Sequence, residues 1–141
     1  MAADCDNLKA TFRKGVRFFN QHNFTLNSYS DYAAAENVRM KKLDDEGYHE
    51  GIDDVETYLY TKGNQDQASF IPDDDKDSHP AFVMFDGYGF VSGTATFVDR
   101  TNPTRSPERR IAYSFTYISV NDEWRAIHLW GTYIPRNTGQ T

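Results

Sequence analysis

Two residues in this sequence are best suited to chemistry, a histidine and an aspartate, each set among aromatic rings. His128 lies in Trp124-Arg125-Ala126-Ile127-His128-Leu129-Trp130-Gly131-Thr132-Tyr133. An imidazole among indoles holds a near-neutral pKa and can move a proton at physiological pH, although the same position suits a core histidine bonded to a neighbouring strand. Asp31 stands between Tyr29 and Tyr32. A carboxylate held against rings has a raised pKa, and the phenols beside it can donate hydrogen bonds to a developing oxyanion; the alternatives are a capping or solvated aspartate and half-buried packing tyrosines. Tyr88, Tyr113 and Tyr117 are further candidates for lining a pocket. Asp86 precedes Gly87 and reads as a turn former. His22, His49 and His79 flank elements or sit in loops, with no close metal-ligand spacing among them. The acidic run Asp73-Asp74-Asp75-Lys76-Asp77 lacks the glycine and the distal glutamate of a calcium loop, so it reads as a solvated segment. No glycine-rich phosphate loop and no serine or cysteine nucleophile motif occurs. The chemistry these residues allow is acid/base proton transfer, with neither metal nor cofactor expected.

Such residues need elements that aim them. Side chains alternate across a strand, so Trp124, Ala126, His128, Trp130 and Thr132 are expected on one face of the last strand, and Arg125, Ile127, Leu129, Gly131 and Tyr133 on the other. Asn121-Asp122-Glu123 makes a short turn from the aromatic, β-branched run Tyr113 to Val120, which predicts an antiparallel hairpin. One face then lines a pocket and the other meets a core or a second subunit. Upstream, Leu8, Phe12, Val16 and Phe19 form one helical stripe, with Asp4 or Asp6 as N-cap, which predicts a helix from about Asp6 to Asn20. Phe24 to Ala34 reads as a short second helix or irregular turn. Asn37 to Leu43 and Tyr48 to Glu50 read as a strand pair, and Ile52, Val55 and Leu59 as the stripe of a third helix stopped by Gly63. Beyond Gly63 the period is that of strands: Ala68 to Ile71, Ala81 to Phe85, Tyr88 to Val98, then the terminal hairpin. The glycines at 89 and 93 mark places where the sheet curls into a concave face. Two polar loops, 72–80 and 100–110, interrupt it.

Composition sets the bounds. A chain of 141 residues with 15% aromatics is one domain with a substantial core. Its net charge of −6 opposes phosphate backbones, and no basic stripe runs among the aromatics, so nucleic acid is not expected as a partner. No apolar run has the roughly 20 residues of a membrane span. Cys5 is the sole cysteine and the first residues do not read as a signal peptide, so cytoplasmic residence is expected.

The order of elements resembles the nuclear transport factor 2-like superfamily, and within it the SnoaL-like and ketosteroid-isomerase-like group. The residues carrying the likeness are Phe19-Asn20, Tyr48-His49-Glu50-Gly51-Ile52-Asp53-Asp54-Val55, Val91-Ser92-Gly93-Thr94-Ala95 and Asn121 to His128, and it spans about residues 6–134. The resemblance implies a single α+β cone, in which a curved antiparallel sheet wraps an N-terminal helical layer around a central apolar pocket. It also implies pairing of two subunits through the outer sheet face, where Ile127, Leu129 and Tyr133 are expected. Relatives of this kind place a further histidine where this chain has Trp130. The implied pocket holds His128 and Trp130, with Asp31 and Tyr29 or Tyr32 approaching from the helical side. Two functions follow from the resemblance. One is a cofactor-independent isomerase, cyclase or dehydratase moving protons on a small apolar carbonyl or hydroxyl compound, with His128, Asp31 and Tyr32 as catalytic groups and Tyr29, Trp130, Tyr113, Tyr117 and Tyr88 holding the substrate. The other is a non-catalytic dimeric module that binds a small apolar or aromatic molecule or serves assembly. A fold alone does not choose between them.

Overall fold

In the computed structural model, residues 4–23, 34–43, 46–75, 80–101 and 107–135 are described. The first helix, α1, spans Cys5–Asn20, one residue from its expected start. The Asp4 carboxylate accepts from the Asn7 N–H at 2.8 Å, satisfying one of the donors that a helix start leaves open. The stripe behaves as its spacing requires: Leu8 is fully buried, and Phe12 and Phe19 are buried with it. The expected short helix over Phe24 to Ala34 lies outside the described residues, apart from Ala34, which opens a strand.

That strand, β1 (Ala34–Lys41), pairs antiparallel with β2 (Tyr48–Glu50), which runs directly into α2 (Gly51–Tyr60). Gly63 does not stop α2. The backbone continues into a π-helical turn, Thr61–Gln65, and Gly63 is buried in it because a Cβ there would come within 3.4 Å of the Phe19 ring and carbonyl. The remaining strands are β3 (Ser69–Pro72), β4 (Ala81–Phe85), β5 (Tyr88–Val98), β6 (Glu108–Val120) and β7 (Glu123–Tyr133). The two hairpin turns fall at Asp86-Gly87 and Asn121-Asp122, with all four residues at positive φ, as primed turns between twisted strands require. β6 begins inside the segment read as a basic loop, because Glu108, Arg109 and Arg110 pair with Val98, Phe97 and Thr96.

The seven strands form one sheet in the order β2-β1-β7-β6-β5-β3, with β4 also on β5. Its pairs are antiparallel except one: β1 lies parallel to β7, so the sheet is mixed where an antiparallel one was expected. These two strands are far apart in sequence, and no hairpin fixes their relative direction. Register shifts interrupt the β1–β7 and β6–β7 ladders, and bulges of this kind bend a sheet. The result is the expected α+β arrangement, a curved sheet with α1 across its inner face. No helix among the described residues is long and apolar enough to cross a membrane.

Helix and sheet meet closely at Gly89. A Cβ at that position would lie 2.9 Å from both Leu8 methyls and 3.3 Å from the Trp124 ring. Trp124 Nε1–H donates to the Asp4 carbonyl at 2.9 Å, fixing the helix start onto β7. At the other end, the Asn20 amide acts like an extra strand residue. Its Nδ2–H donates to the Phe70 carbonyl, and its Oδ1 accepts from the Phe70 N–H, each at 2.8 Å.

On the outer edge Asp73 joins three strands. Arg110 holds its carboxylate with two guanidinium nitrogens, Thr94 Oγ1–H donates to it at 2.5 Å, and its own N–H reaches the Thr94 carbonyl at 2.9 Å. The Arg110 hydrogen bonds, helped by Thr94, hold the Asp73 carboxyl below its usual range, although partial burial acts the other way.

Gly89→Ala forces Leu8 out of a fully buried position and should cost about 1–3 kcal/mol, read as a lower thermal midpoint. Gly15→Ala, where an added Cβ meets nothing within 4 Å, should leave the midpoint equal or higher. Because the folded Asp73 pKa is depressed below its ordinary 3.8, its stabilisation is complete above that value and is lost as pH falls through the folded pKa. Asp73→Asn should therefore lower the midpoint slightly at pH 7, and thermal melts between pH 2 and 5 should show a shallower acid slope than wild type; an unchanged slope would contradict this role.

Candidate ligand cavity

A strand under a helix presents every second side chain to it, and on β6 these are Ile111, Tyr113, Phe115 and Tyr117. Together with Phe12, Val16 and Phe19 of α1, Met40 and Leu43 near the end of β1, Tyr58 and Leu59 of α2, Phe70, Phe97 and Leu129, they line a cavity of about 110 Å³. The wall is apolar almost throughout. Its ionic side chain is Lys41, whose Nζ donates to the neighbouring Lys42 carbonyl at 2.8 Å.

Tyr113 is the exception in chemistry rather than in position. Its residue is 2% exposed, and its Oη is a buried polar atom with no hydrogen-bond partner among the described residues. The ring is fixed by packing. Phe12 stacks on it at 5.9 Å, Phe70 meets it edge-on at 5.2 Å, and Phe115 lies at 5.1 Å. Gly93 is its cross-strand partner, and a Cβ there would sit 3.0 Å from Oη, so the phenol occupies space that any other residue at 93 would fill. Burial, and then the negative charges of Asp73 and Asp74, push the Tyr113 pKa well up. The hydroxyl is thus a permanent neutral donor facing apolar walls.

The sequence candidates divide. Tyr113 and Tyr117 line the cavity, Tyr117 at 5% exposure. Tyr88 does not: it is half-exposed, pairs with Ile118 and stacks on Phe90 at 6.5 Å on the sheet's outer face. His128 is also absent from the wall. Thr116 pairs with His128 while Tyr117 pairs with Ala126, so Ile127 is an extra residue that reverses the alternation of β7. Trp124 and Ala126 are buried under the helix, and beyond the bulge Leu129 and Gly131 take the inner phase. Leu129, expected on the subunit face, is therefore a cavity residue, and Tyr133, paired with Ile111, follows it inward. His128 and Trp130 do share a phase, as expected, but it is that of Thr116 and Ser114 on the outer face; Trp130 borders the cavity between Leu129 and Gly131.

On that outer face His128 stacks on Tyr48 at 5.6 Å, with Nε2 3.3 Å from the phenol oxygen, and the Arg39 guanidinium lies 4.1 Å from the Tyr48 ring centre. Burial and the Arg39 charge lower the His128 pKa, which favours the neutral ring. Asp31, Tyr29 and Tyr32 lie outside the described residues. Among the described residues no three His, Cys, Asp or Glu side chains come together as metal ligands would. Residues that sequence reasoning left out of the site, among them Met40, Leu43, Phe70 and Phe115, are ordinary apolar residues in or beside strands. Nothing in their type separates a cavity wall from a filled core.

No family model matches this sequence, and no curated protein does. Solved structures resemble its fold. An uncharacterised protein with a cystatin-like fold from Caulobacter vibrioides superimposes with a TM-score of 0.76 at 11% identity, covering 96% of this chain and 92% of that one. A candidate dehydratase of the NTF2-like family from Streptomyces avermitilis gives 0.73 at 10% identity, over 94% and 97%. A candidate ketosteroid isomerase from Shewanella frigidimarina gives 0.64 at 8% identity, over 86% and 91%. At these identities the likeness carries the fold and nothing finer: the chain has the nuclear transport factor 2-like, or cystatin-like, fold.

Proposed function

We propose that this protein binds a small, largely apolar molecule carrying one hydrogen-bond-accepting oxygen, in the cavity between α1 and the sheet. The observation that supports this is the unpartnered Tyr113 Oη in an otherwise apolar wall. A buried hydroxyl without a partner costs about 1–3 kcal/mol, and a ligand carbonyl or ether oxygen would relieve that cost on binding. The volume of about 110 Å³ is somewhat below the ~150 Å³ of an engineered apolar cavity that stays dry and takes benzene, so a single ring is the right scale.

Acid/base isomerisation, cyclisation or dehydration is the second reading. A phenol that stays protonated is suited to a developing oxyanion, and two proteins of this fold are described as a candidate dehydratase and a candidate ketosteroid isomerase. That reading needs a base. The described cavity wall holds neither carboxylate nor imidazole, and His128 is on the opposite face, so the role passes to Asp31 with Tyr32 beside it.

Acetophenone and cumene, similar in shape but differing in the oxygen, separate these ideas. Wild type should bind acetophenone about 3–10-fold more tightly by titration calorimetry, and Tyr113→Phe should erase the preference. The unliganded Tyr113→Phe protein should melt at the same temperature or higher, since the substitution removes an unsatisfied atom. A preserved preference would overturn the proposal. If the cavity is catalytic, acetophenone methyl protons should exchange with D₂O in the presence of the enzyme, and Asp31→Asn should stop the exchange while affinity remains.

We further propose that the protein pairs with a second copy through its outer face, shifted from the β7 residues expected to carry it. Val83, Phe85, Tyr88 and Phe90 are 55, 72, 50 and 36% exposed, and they sit together because Val83 pairs with Phe90 and Phe85 with Tyr88. Apart from the exposed Asp86 at the turn between Phe85 and Tyr88 the patch is apolar, and such a patch is where two chains of net charge −6 would meet. Light scattering should give twice 16.2 kDa for wild type and a monomer for Phe85→Asp; a wild-type monomer at micromolar concentration would remove this proposal.

A further inference from the structure

Beside the cavity runs a second concavity, a surface groove of about 410 Å³ between α1 and the β3–β4 side. Phe12 and Val16 line both, so the cavity and the groove adjoin along this edge of α1. One helical turn joins Arg13 to Arg17, which places both guanidinium groups along the groove. Neither has a carboxylate within ion-pair reach among the described residues; Arg13 lies 6.0 Å from the centre of the Phe82 ring. The opposing charge in the groove is Asp74, which is exposed, while its neighbour Asp73 is committed to Arg110. Among the described lining residues two guanidinium groups thus face one carboxylate, in a chain whose overall charge is −6.

We infer that the ligand is an apolar carboxylate, its ring or short chain in the cavity and its carboxylate between Arg13 and Arg17, lying across Phe12 and Val16. The inference rests on the cavity reading and names its substrate class. Guanidinium groups hold planar carboxylates with paired hydrogen bonds, and such charge-assisted bonds are about twice as strong as neutral ones. The polar end stays at the surface, so no ion is carried into the apolar interior.

The experiment extends the acetophenone body by one group, comparing 4-acetylbenzoate with its neutral counterpart 4-acetylbenzamide by calorimetry at low salt. Wild type should bind the acid about tenfold more tightly, an advantage that shrinks as salt rises. Arg13→Gln/Arg17→Gln should remove the advantage, leave amide affinity unchanged and keep the thermal midpoint, since both side chains are exposed. Equal affinity for acid and amide, or a preference that survives the double substitution, overturns the inference while acetophenone binding still upholds the cavity. If acetophenone, acid and amide all fail to bind, the cavity reading falls and takes this one with it.

Discussion

Everything in this structure depends on one helix being tied down at both ends across a curved sheet. At its start, Trp124 reaches the Asp4 carbonyl and the Leu8 side chain packs directly onto Gly89, where no side chain holds it off. At its end, Asn20 completes the β3 edge, and the Nδ1 of His22 meets the Gly63 carbonyl at 2.8 Å. Between these fixed points the helix passes over Tyr113 and Phe115, whose rings hold it away from the strands. A rigid rod clamped at both ends over a concave surface cannot collapse to fill the middle. The cavity sits there, over the stretch from Phe12 to Phe19.

That geometry explains how far the sequence could be read. The stripe Leu8-Phe12-Val16-Phe19 has one period throughout and gave α1 to within a residue; Asp86-Gly87 and Asn121-Asp122 carry the turn residues that their positive φ values need. Strand phase on β7 was not legible. A bulge changes the count by one residue, and Ile127 is a β-branched residue like its neighbours, so nothing local marks it. Its effect is nevertheless large: past Ile127 the phase reverses, which exchanges His128 for Leu129 at the wall, although Trp130 still borders the cavity. The parallel pairing of β1 with β7 was hidden for a different reason, since it joins distant segments and has no turn to announce it. Gly63 misled because a glycine after a helix has two uses, release of the backbone and close approach, and here Phe19 requires the second.

The reversal at Ile127 also separates two kinds of polar chemistry. On the outer face the imidazole of His128, the Tyr48 phenol and the Arg39 guanidinium are stacked, and Arg39 in turn binds Glu50 through a nitrogen 2.8 Å from its carboxylate. Each of these groups has a neighbour that satisfies or balances it, as expected of a cluster that ties β2, β1 and β7 together. The inner face differs, because the polar atom of Tyr113 has no such neighbour. A satisfied network stabilises a fold, whereas an unsatisfied donor in an apolar wall costs stability and is paired with nothing the described residues supply.

The donor is fitted to what faces it. A Cβ at position 93 would sit 3.0 Å from the Tyr113 hydroxyl oxygen, so any other residue there would make the phenol shift by a few tenths of an ångström. The charges of Asp73 and Asp74 lie in the same direction. They make the phenolate still less favourable, so the group stays a neutral phenol that can donate a hydrogen bond and does not serve as a base. A neutral phenol donates and accepts hydrogen bonds but does not take up a proton at neutral pH, so any general base at this cavity is a different residue. The described wall thus carries a hydrogen-bond donor and no general base, which is why the binding and the catalytic proposals call on different residues.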